Sequence, residues 1–348
     1  MRRSELQSRV SAASNGSAVT LEMVAKEAGV SPSTVSRILN GTAKVREAKV
    51  RAVEAAIAKL RFMPNPVARS LAGGKSMSVG VVIQAIDSPF YGEALAAIEM
   101  GLSRASYSAL FASGHLREGD ERRAIDHLVN RRVEGIILMN SCLSARELIS
   151  VSQSIPLVVT GRRVAGGRIY SLDVDSAPGA RLATEYLVRQ GHRRIAFISG
   201  PSDHLDSLQR YAGYKAALAA ARIAEVRKLV VTGDYTDAGG YAATNMLLDS
   251  GAKFTAVFAA NDQTAYGAML ALHRRGLDVP QDVSIVGFDD LLMSSFTIPP
   301  LTTVHRSIKQ IGGGAAEALI DLIEGRKPVA KVPSATLAIR ESTRRLRG

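Results

Sequence analysis

The chain has one cysteine, Cys142, and no tryptophan among its 348 residues. A lone thiol, set in the apolar run GIILMNSCL, can build neither a disulfide framework nor a cysteine-ligated zinc site. Long apolar runs are also missing: nowhere do about 18 apolar residues follow one another, as a membrane-spanning helix requires. The first 18 residues, MRRSELQSRVSAASNGSA, hold no apolar stretch like the core of a signal peptide. The Asp289-Asp290 pair stands without an activated nucleophile or a ligand-spaced His, Cys or Glu cluster. His192, in the turn RQGHRRI, reads as a helix-end residue rather than a base or ligand. These absences argue against an exported, a membrane-spanning or a metal-dependent catalytic protein. A cytoplasmic non-enzyme without metal or cofactor is expected, its residues 1–18 a disordered tail.

What is present is apolar material and an uneven charge. Hydrophobic residues make up 46% of the chain, enough for more than one core. The net charge is +12, and residues 1–76 carry 13 Lys and Arg against 5 Asp and Glu, a net +8; the other 272 residues net only +4. A basic head on a nearly neutral body suits a nucleic-acid module joined to something with another task.

The head reads as three short helices. Thr20 is expected to cap the first, which places Leu21, Val24, Ala25 and Ala28 on one face and ends at Gly29. Ser31 caps the second, with Pro32 at its first position, and Asn40-Gly41 ends it. The third, from about Arg46 to Leu60, repeats Val50, Val53, Ile57 and Leu60 at helical spacing. In a helix-turn-helix the second helix enters the major groove. Here it offers Ser31, Pro32, Ser33, Thr34, Ser36 and Arg37: Ser33 and Arg37 suit base edges, and the hydroxyls of Ser31, Thr34 and Ser36 suit phosphates. Thr20 and Asn40 complete the DNA-facing set. After Phe62, the segment from Asn65-Pro66 to Gly73-Gly74 specifies a helix of about two turns, too short to be stable without a partner.

From Ser78 onward, apolar runs such as SVGVVIQAI, VEGIILMN, RIAFISG, AVFAAN and VSIVGFDD alternate with amphipathic helical stretches. About eight strands in two groups predict parallel sheets flanked by helices, with a ligand cleft between two lobes at the strands' carboxyl ends.

TLEMVAKEAGVSPSTVSRILNG, VREAKVRAVEAAIAKLRFMPNPVARSLAGGKS, NDQTAYGAML, VPQDVSIVGFDD and PPLTTVH together resemble the lactose and galactose repressor (LacI/GalR) family over nearly everything after residue 19. The resemblance implies an N-terminal all-α helix-turn-helix domain over 19–63, a hinge over 64–76, and a two-lobed α/β domain, like that of periplasmic sugar-binding proteins, over 77–348. Lobe 1 would take about 77–174 and 303–332, and lobe 2 about 175–302 and 333–345. It also implies a homodimer on an inverted-repeat operator, with Leu71 and Ala72 of the hinge helix (Pro66–Ala72) at the minor groove. Carried over residue by residue, it implies effector contacts from Phe90, Tyr91, His204, Asp206, Arg210, Tyr235, Asn261 and Asp289. The effector would be a sugar, polyol, sugar acid or sugar phosphate. Tyr91 and Tyr235 could instead pack at lobe edges, and Arg210 could be a structural ion-pair partner. Met23 stands where the family usually has an acid, and a first helix weaker by about 0.5 kcal/mol is expected. A solute-binding protein and a sugar-metabolising enzyme of the same fold are the alternatives.

Overall fold

The computed structural model describes residues 19–39, 45–62 and 75–346. The chain divides into two compact units, residues 1–76 and 77–348. The tail over 1–18, the hinge helix over Pro66–Ala72, and Asn40, Leu71 and Ala72 within the expected DNA-facing set lie outside the described residues.

The first unit contains α1 (Leu21–Glu27), α2 (Pro32–Leu39) and α3 (Glu47–Leu60). Gly29, at φ +64°, makes the tight turn between α1 and α2. Val24, Val35 and Val53 are fully buried, with Ala25 and Ala56 beside them, so each helix gives its apolar stripe to one small core. An ion pair of 2.7 Å from Lys59 to Glu27 ties α3 to α1.

In the second unit, one sheet has the order β2-β1-β3-β4-β5, all parallel. Its strands are β1 (Ser78–Ile83), β2 (Ser108–Ser113), β3 (Ile136–Met139), β4 (Leu157–Thr160) and β5 (Ile169–Leu172). The other sheet comprises β6 (Ile195–Ser199), β7 (Val230–Thr232), β8 (Ala256–Ala259), β9 (Ser284–Asp289), β10 (Thr302–His305) and β11 (Thr336–Ala338). Its order is β11-β10-β9-β8-β6-β7, and only β11 is antiparallel. The central strands each feed two cores. Ile137 and Met139 face one side of the first sheet while Ile136 and Leu138 face the other; Phe197 and Phe258, and Ala196 and Val257, divide the same way in the second. Burial on both faces is why these strands read as continuous apolar runs.

The eleven strands among the described residues exceed the eight expected. β5 (IYSL), β10 (TTVH) and β11 (TLA) are short and half polar, so they carry no apolar run. Around the sheets run α4 (Pro89–Arg104), α5 (Glu118–Asn130), α6 (Ala145–Ser152), α7 (Ala177–Arg189), α8 (Leu205–Ala220), α9 (Asp237–Asp249), α10 (Asp262–Arg274) and α11 (Ile308–Ile323). The chain crosses from the first sheet to the second after β5. It returns after β10 to place α11 in the first lobe's core through Ile308, Ile311, Ala315 and Leu319, then crosses again before β11. β10 pairs with β9, Thr302 opposite Val286. The return therefore falls after His305, a correction to the boundary expected near 303.

Candidate functional site

On α2, Ser31 caps as the sequence predicts: its Oγ accepts the Thr34 N–H at 3.3 Å and lies 2.9 Å from Ser33 Oγ and 2.8 Å from Thr34 Oγ1. Pro32 opens the helix, and Ser31, Pro32, Ser33 and Arg37 are exposed, with Thr34 and Ser36 partly so. Val35 alone on this helix is fully inside. A hydroxyl-rich turn and a guanidinium thus stand on the outer face while the inner face is anchored. Thr20 differs from expectation. It occupies the cap position in extended geometry but accepts no capping bond. The Glu22 carboxyl is instead held below its usual range by its own backbone N–H and by the Thr20 hydroxyl. Glu22 puts negative charge in the first turn, so the acid missing at Met23 is offset one residue earlier.

In the second unit, a cleft of about 480 Å³ opens at the carboxyl ends of both sheets. Phe90, Tyr91, His204, Asp206, Arg210, Tyr235, Asn261 and Asp289 all line it. Phe90 and Tyr91 open α4 and meet edge to face, ring centroids 5.1 Å apart. Tyr91 is also part of the first lobe's core. His204 stands at the N-cap position of α8 without a side-chain capping bond, and Asp206 and Arg210 follow on its first turns, four residues apart on one face. Tyr235 follows β7 at φ +69°; its ring fills the space where a side chain on Gly200 would stand. Asn261 caps α10, accepting the Thr264 N–H at 2.9 Å and donating to Tyr235 O at 2.9 Å. Asp289 ends β9 at φ +112°, a backbone geometry costly for any side chain and held here by the strand behind it.

Arg210 is buried beneath the cleft, its guanidinium 4.1 Å from the centre of the Phe288 ring. It donates to Ala260 O and lies 3.7 Å from Asp206 and from Asp289. It is therefore an ion-pair partner and a cleft residue at once. A second guanidinium, Arg306, approaches Asp289 at 3.6 Å and Asp206 at 3.9 Å. Asp206 accepts from Asn140 at 2.7 Å and from Ser176 at 3.0 Å. Burial alone would raise its carboxyl, but the charges of Arg306 and Arg210 hold it below the usual range. Asp289 behaves oppositely: burial pushes it up to about 6, and Arg210 and Arg306 offset only part of this. Burial pushes His204 down, so it stays neutral. Arg210 Nε, Arg306 Nε, His204 Nδ1 and Asp289 Oδ1 are buried and make no hydrogen bond. Of these residues Arg210, His204 and Asp289 line the cleft, and unsatisfied buried polar atoms of that kind are what a polyhydroxylated ligand needs.

Gln84, Asn140, Gln263 and Arg306 were not among the expected site residues. Gln84 and Asn140 directly follow β1 and β3, at the carboxyl ends where the cleft was expected, but the resemblance carries neither over. Arg306 had no such signal, because its burial depends on the lobe crossover after β10. Asp290 turns away and is bound by Arg340 at 2.6 Å and His305 at 2.8 Å. His192 lies between Thr255 Oγ1 and Arg344 O at 2.9 and 3.1 Å, a structural clasp. Among the described residues no three His, Cys, Asp or Glu side chains are placed to hold a metal ion, and no helix is long and apolar enough to cross a membrane.

The family model for bacterial regulatory proteins of the lacI family matches residues 20–65, and that for periplasmic binding protein-like domains matches residues 184–343. The HTH-type transcriptional regulator GalR of Escherichia coli is 36% identical over 326 residues, covering 93% of this chain and 95% of the relative. The chain belongs to the LacI family. The ribose operon repressor of E. coli is 36% identical over 309 residues, 87% of this chain and 93% of that one. Among solved structures, a lac repressor dimer bound to operator and the anti-inducer ONPF superposes with a TM-score of 0.84 at 31% identity, covering 94% of this chain and 99% of that one. This LacI-family chain is a DNA-binding transcriptional regulator and not an enzyme.

Proposed function

We propose that the protein is a cytoplasmic homodimeric repressor whose hold on an inverted-repeat operator is set by a neutral sugar or polyol in the interlobe cleft. The observation that carries this reading is the set of unsatisfied buried polar atoms on the cleft residues Arg210, His204, Tyr235 and Asp289, in a chain that also carries a helix-turn-helix. Charge argues for a neutral ligand. Five carboxylates line the cleft, from Asp87, Asp206, Asp234, Asp237 and Asp289. They already match the two guanidiniums and the N-termini of α4, α8, α9 and α10, leaving no positive excess for a phosphate or sugar acid.

Interlobe hydrogen bonds mark where closure acts: Ser88 to Gln263 at 3.1 Å, Asn140 to Asp206 at 2.7 Å and the Leu292 N–H to Glu93 at 3.4 Å. A ligand that favours the closed arrangement shifts the lobes and, through the hinge segment, the pair of DNA-binding units; operator must then alter sugar affinity by the same factor. Dimerisation is supported by the exposed apolar side chains of Leu292, Met293, Phe296 and Ile298, the last 96% exposed, on one short segment. A thermal-shift screen of the full chain against neutral sugars, polyols, sugar acids and sugar phosphates tests the reading, since a ligand that binds the native state raises its melting temperature. Stabilisation by a neutral sugar is expected. Stabilisation by sugar phosphates alone would contradict it.

A further inference from the structure

A second cavity, about 590 Å³, adjoins the cleft. The two share Leu116, Asn140, His204 and Asp206, so they meet along one edge. The second space is also interlobe. Ser141 and Cys142 follow β3, Thr160 ends β4, and Pro201 and Asp203 approach from the loop before α8. Each space alone falls within the roughly 300–1,000 Å³ typical of ligand sites.

The second space carries its own unsatisfied polar atom. Thr160 is 1% exposed, and its hydroxyl has no hydrogen-bond partner. A buried hydroxyl in that state is destabilising, whereas a valine of the same shape is not. His204 Nδ1, equally unpartnered, stands at the shared edge. Arg162, two residues after Thr160, uses Nη1 on the carbonyls of Leu143 and Ser141 at 2.7 and 3.5 Å. Glu118, Asp203 and Asp206 outnumber that one guanidinium, so this space also lacks positive excess.

A single sugar ring held by Arg210, Asn261 and Asp289 leaves the Thr160 hydroxyl unanswered. We propose that the effector is a neutral saccharide of at least two linked rings, one in the main cleft and the next in the cavity bounded by Thr160, Arg162 and His204. This rests on the sugar-sensor reading above and adds the size of the ligand and its second subsite.

The test is calorimetric titration of the full chain with glucose, cellobiose and maltose, and with galactose, lactose and melibiose. At least one disaccharide is expected to bind tenfold or more tightly than its parent monosaccharide. Thr160→Val, which keeps the β-branched shape, is expected to weaken that disaccharide five- to tenfold, leave monosaccharide binding within twofold, and melt no lower than wild type. Monosaccharide binding that no disaccharide exceeds, or a disaccharide indifferent to Thr160→Val, overturns the second subsite while leaving the cleft reading standing. Failure of every sugar to bind overturns both.

Discussion

Arg210 Nη2 and Asp289 Oδ1 stand 3.7 Å apart beneath the cleft, beyond hydrogen-bond reach, and Asp289 Oδ1 accepts no hydrogen bond at all. A ligand hydroxyl between them can donate to the carboxylate while accepting from the guanidinium. Arg210→Ala is therefore expected to weaken sugar binding by about ten- to a hundredfold, since hydrogen bonds to charged groups contribute about 1.5–3 kcal/mol. It also strips Asp206 and Asp289 of a compensating charge, so the melting temperature should fall. Operator affinity without sugar should stay within a few-fold, because no DNA-facing residue is touched. Calorimetry and operator anisotropy measure the two effects separately, and a normal sugar response from Arg210→Ala would displace the site.

The raised Asp289 carboxyl, at about 6, predicts a pH dependence with a definite sign. Its folded value exceeds its unfolded value, so the folded state holds the proton more tightly. The stabilisation is present below the unfolded value and is lost as pH rises through about 6. Asp262, pushed up to about 7 by burial and by the charge of Asp289, acts in the same direction. The sugar-free protein should thus gain stability as pH falls from 7.5 to 5, by about 1 kcal/mol from Asp289 as an order of magnitude, with the rest of its contribution appearing only as pH falls on towards the unfolded value. Sugar binding should weaken over the same window as the ionised acceptor is lost. Asp289→Asn should flatten part of the melting-versus-pH curve; an unchanged curve would show that Asp289 does not titrate there.

The cleft's place at the strands' carboxyl ends was legible in the alternation of apolar runs and helices, while its individual residues came from the family resemblance. Asn261 comes two residues after β8 and Asp289 closes β9, each beside a run that announces its strand. Arg306 escaped because its strand, TTVH, has no apolar signature and its burial comes from a chain crossing distant in sequence. The Thr20 cap is not made: the residue takes the extended cap geometry, and its hydroxyl donates to the Glu22 carboxylate without accepting a backbone N–H. In the head, helical spacing and the Ser31-Pro32 start were enough to place α2, since three short helices leave few ways to bury Val24, Val35 and Val53 together.

Close helix crossing predicts opposite outcomes at two glycines. A Cβ on Gly267 of α10 would stand 1.9 Å from Asp237 O and 2.5 Å from Tyr241 N of α9, backbone atoms that cannot yield cheaply. Gly267→Ala should destabilise by about 3 kcal/mol, the upper end of ordinary overpacking. Gly313 lies within α11 with nothing within 4 Å of its added Cβ. Gly313→Ala should therefore stabilise by about 0.5–1 kcal/mol. Chemical denaturation of the two variants checks both signs.

Arg37, exposed in the last turn of α2, is the side chain best suited to a guanine edge. Arg37→Ala should cost about 1–3 kcal/mol on the selected operator and relax preference at one base position of each half-site. A uniform loss across all sequences, with a shallower salt dependence, would mark Arg37 as a phosphate contact instead. Competition binding against single-base operator variants separates the two.

The most direct test is fluorescence anisotropy on an inverted-repeat duplex, selected from a random library by the protein itself, titrated with and without the neutral sugar that gives the largest thermal shift. Specific binding by two chains per duplex is expected, with affinity changed by about 5- to 150-fold on adding sugar, the usual range for coupled sites. Equal affinity for selected and scrambled duplexes, or an operator affinity that a saturating bound sugar leaves unchanged, would contradict the account.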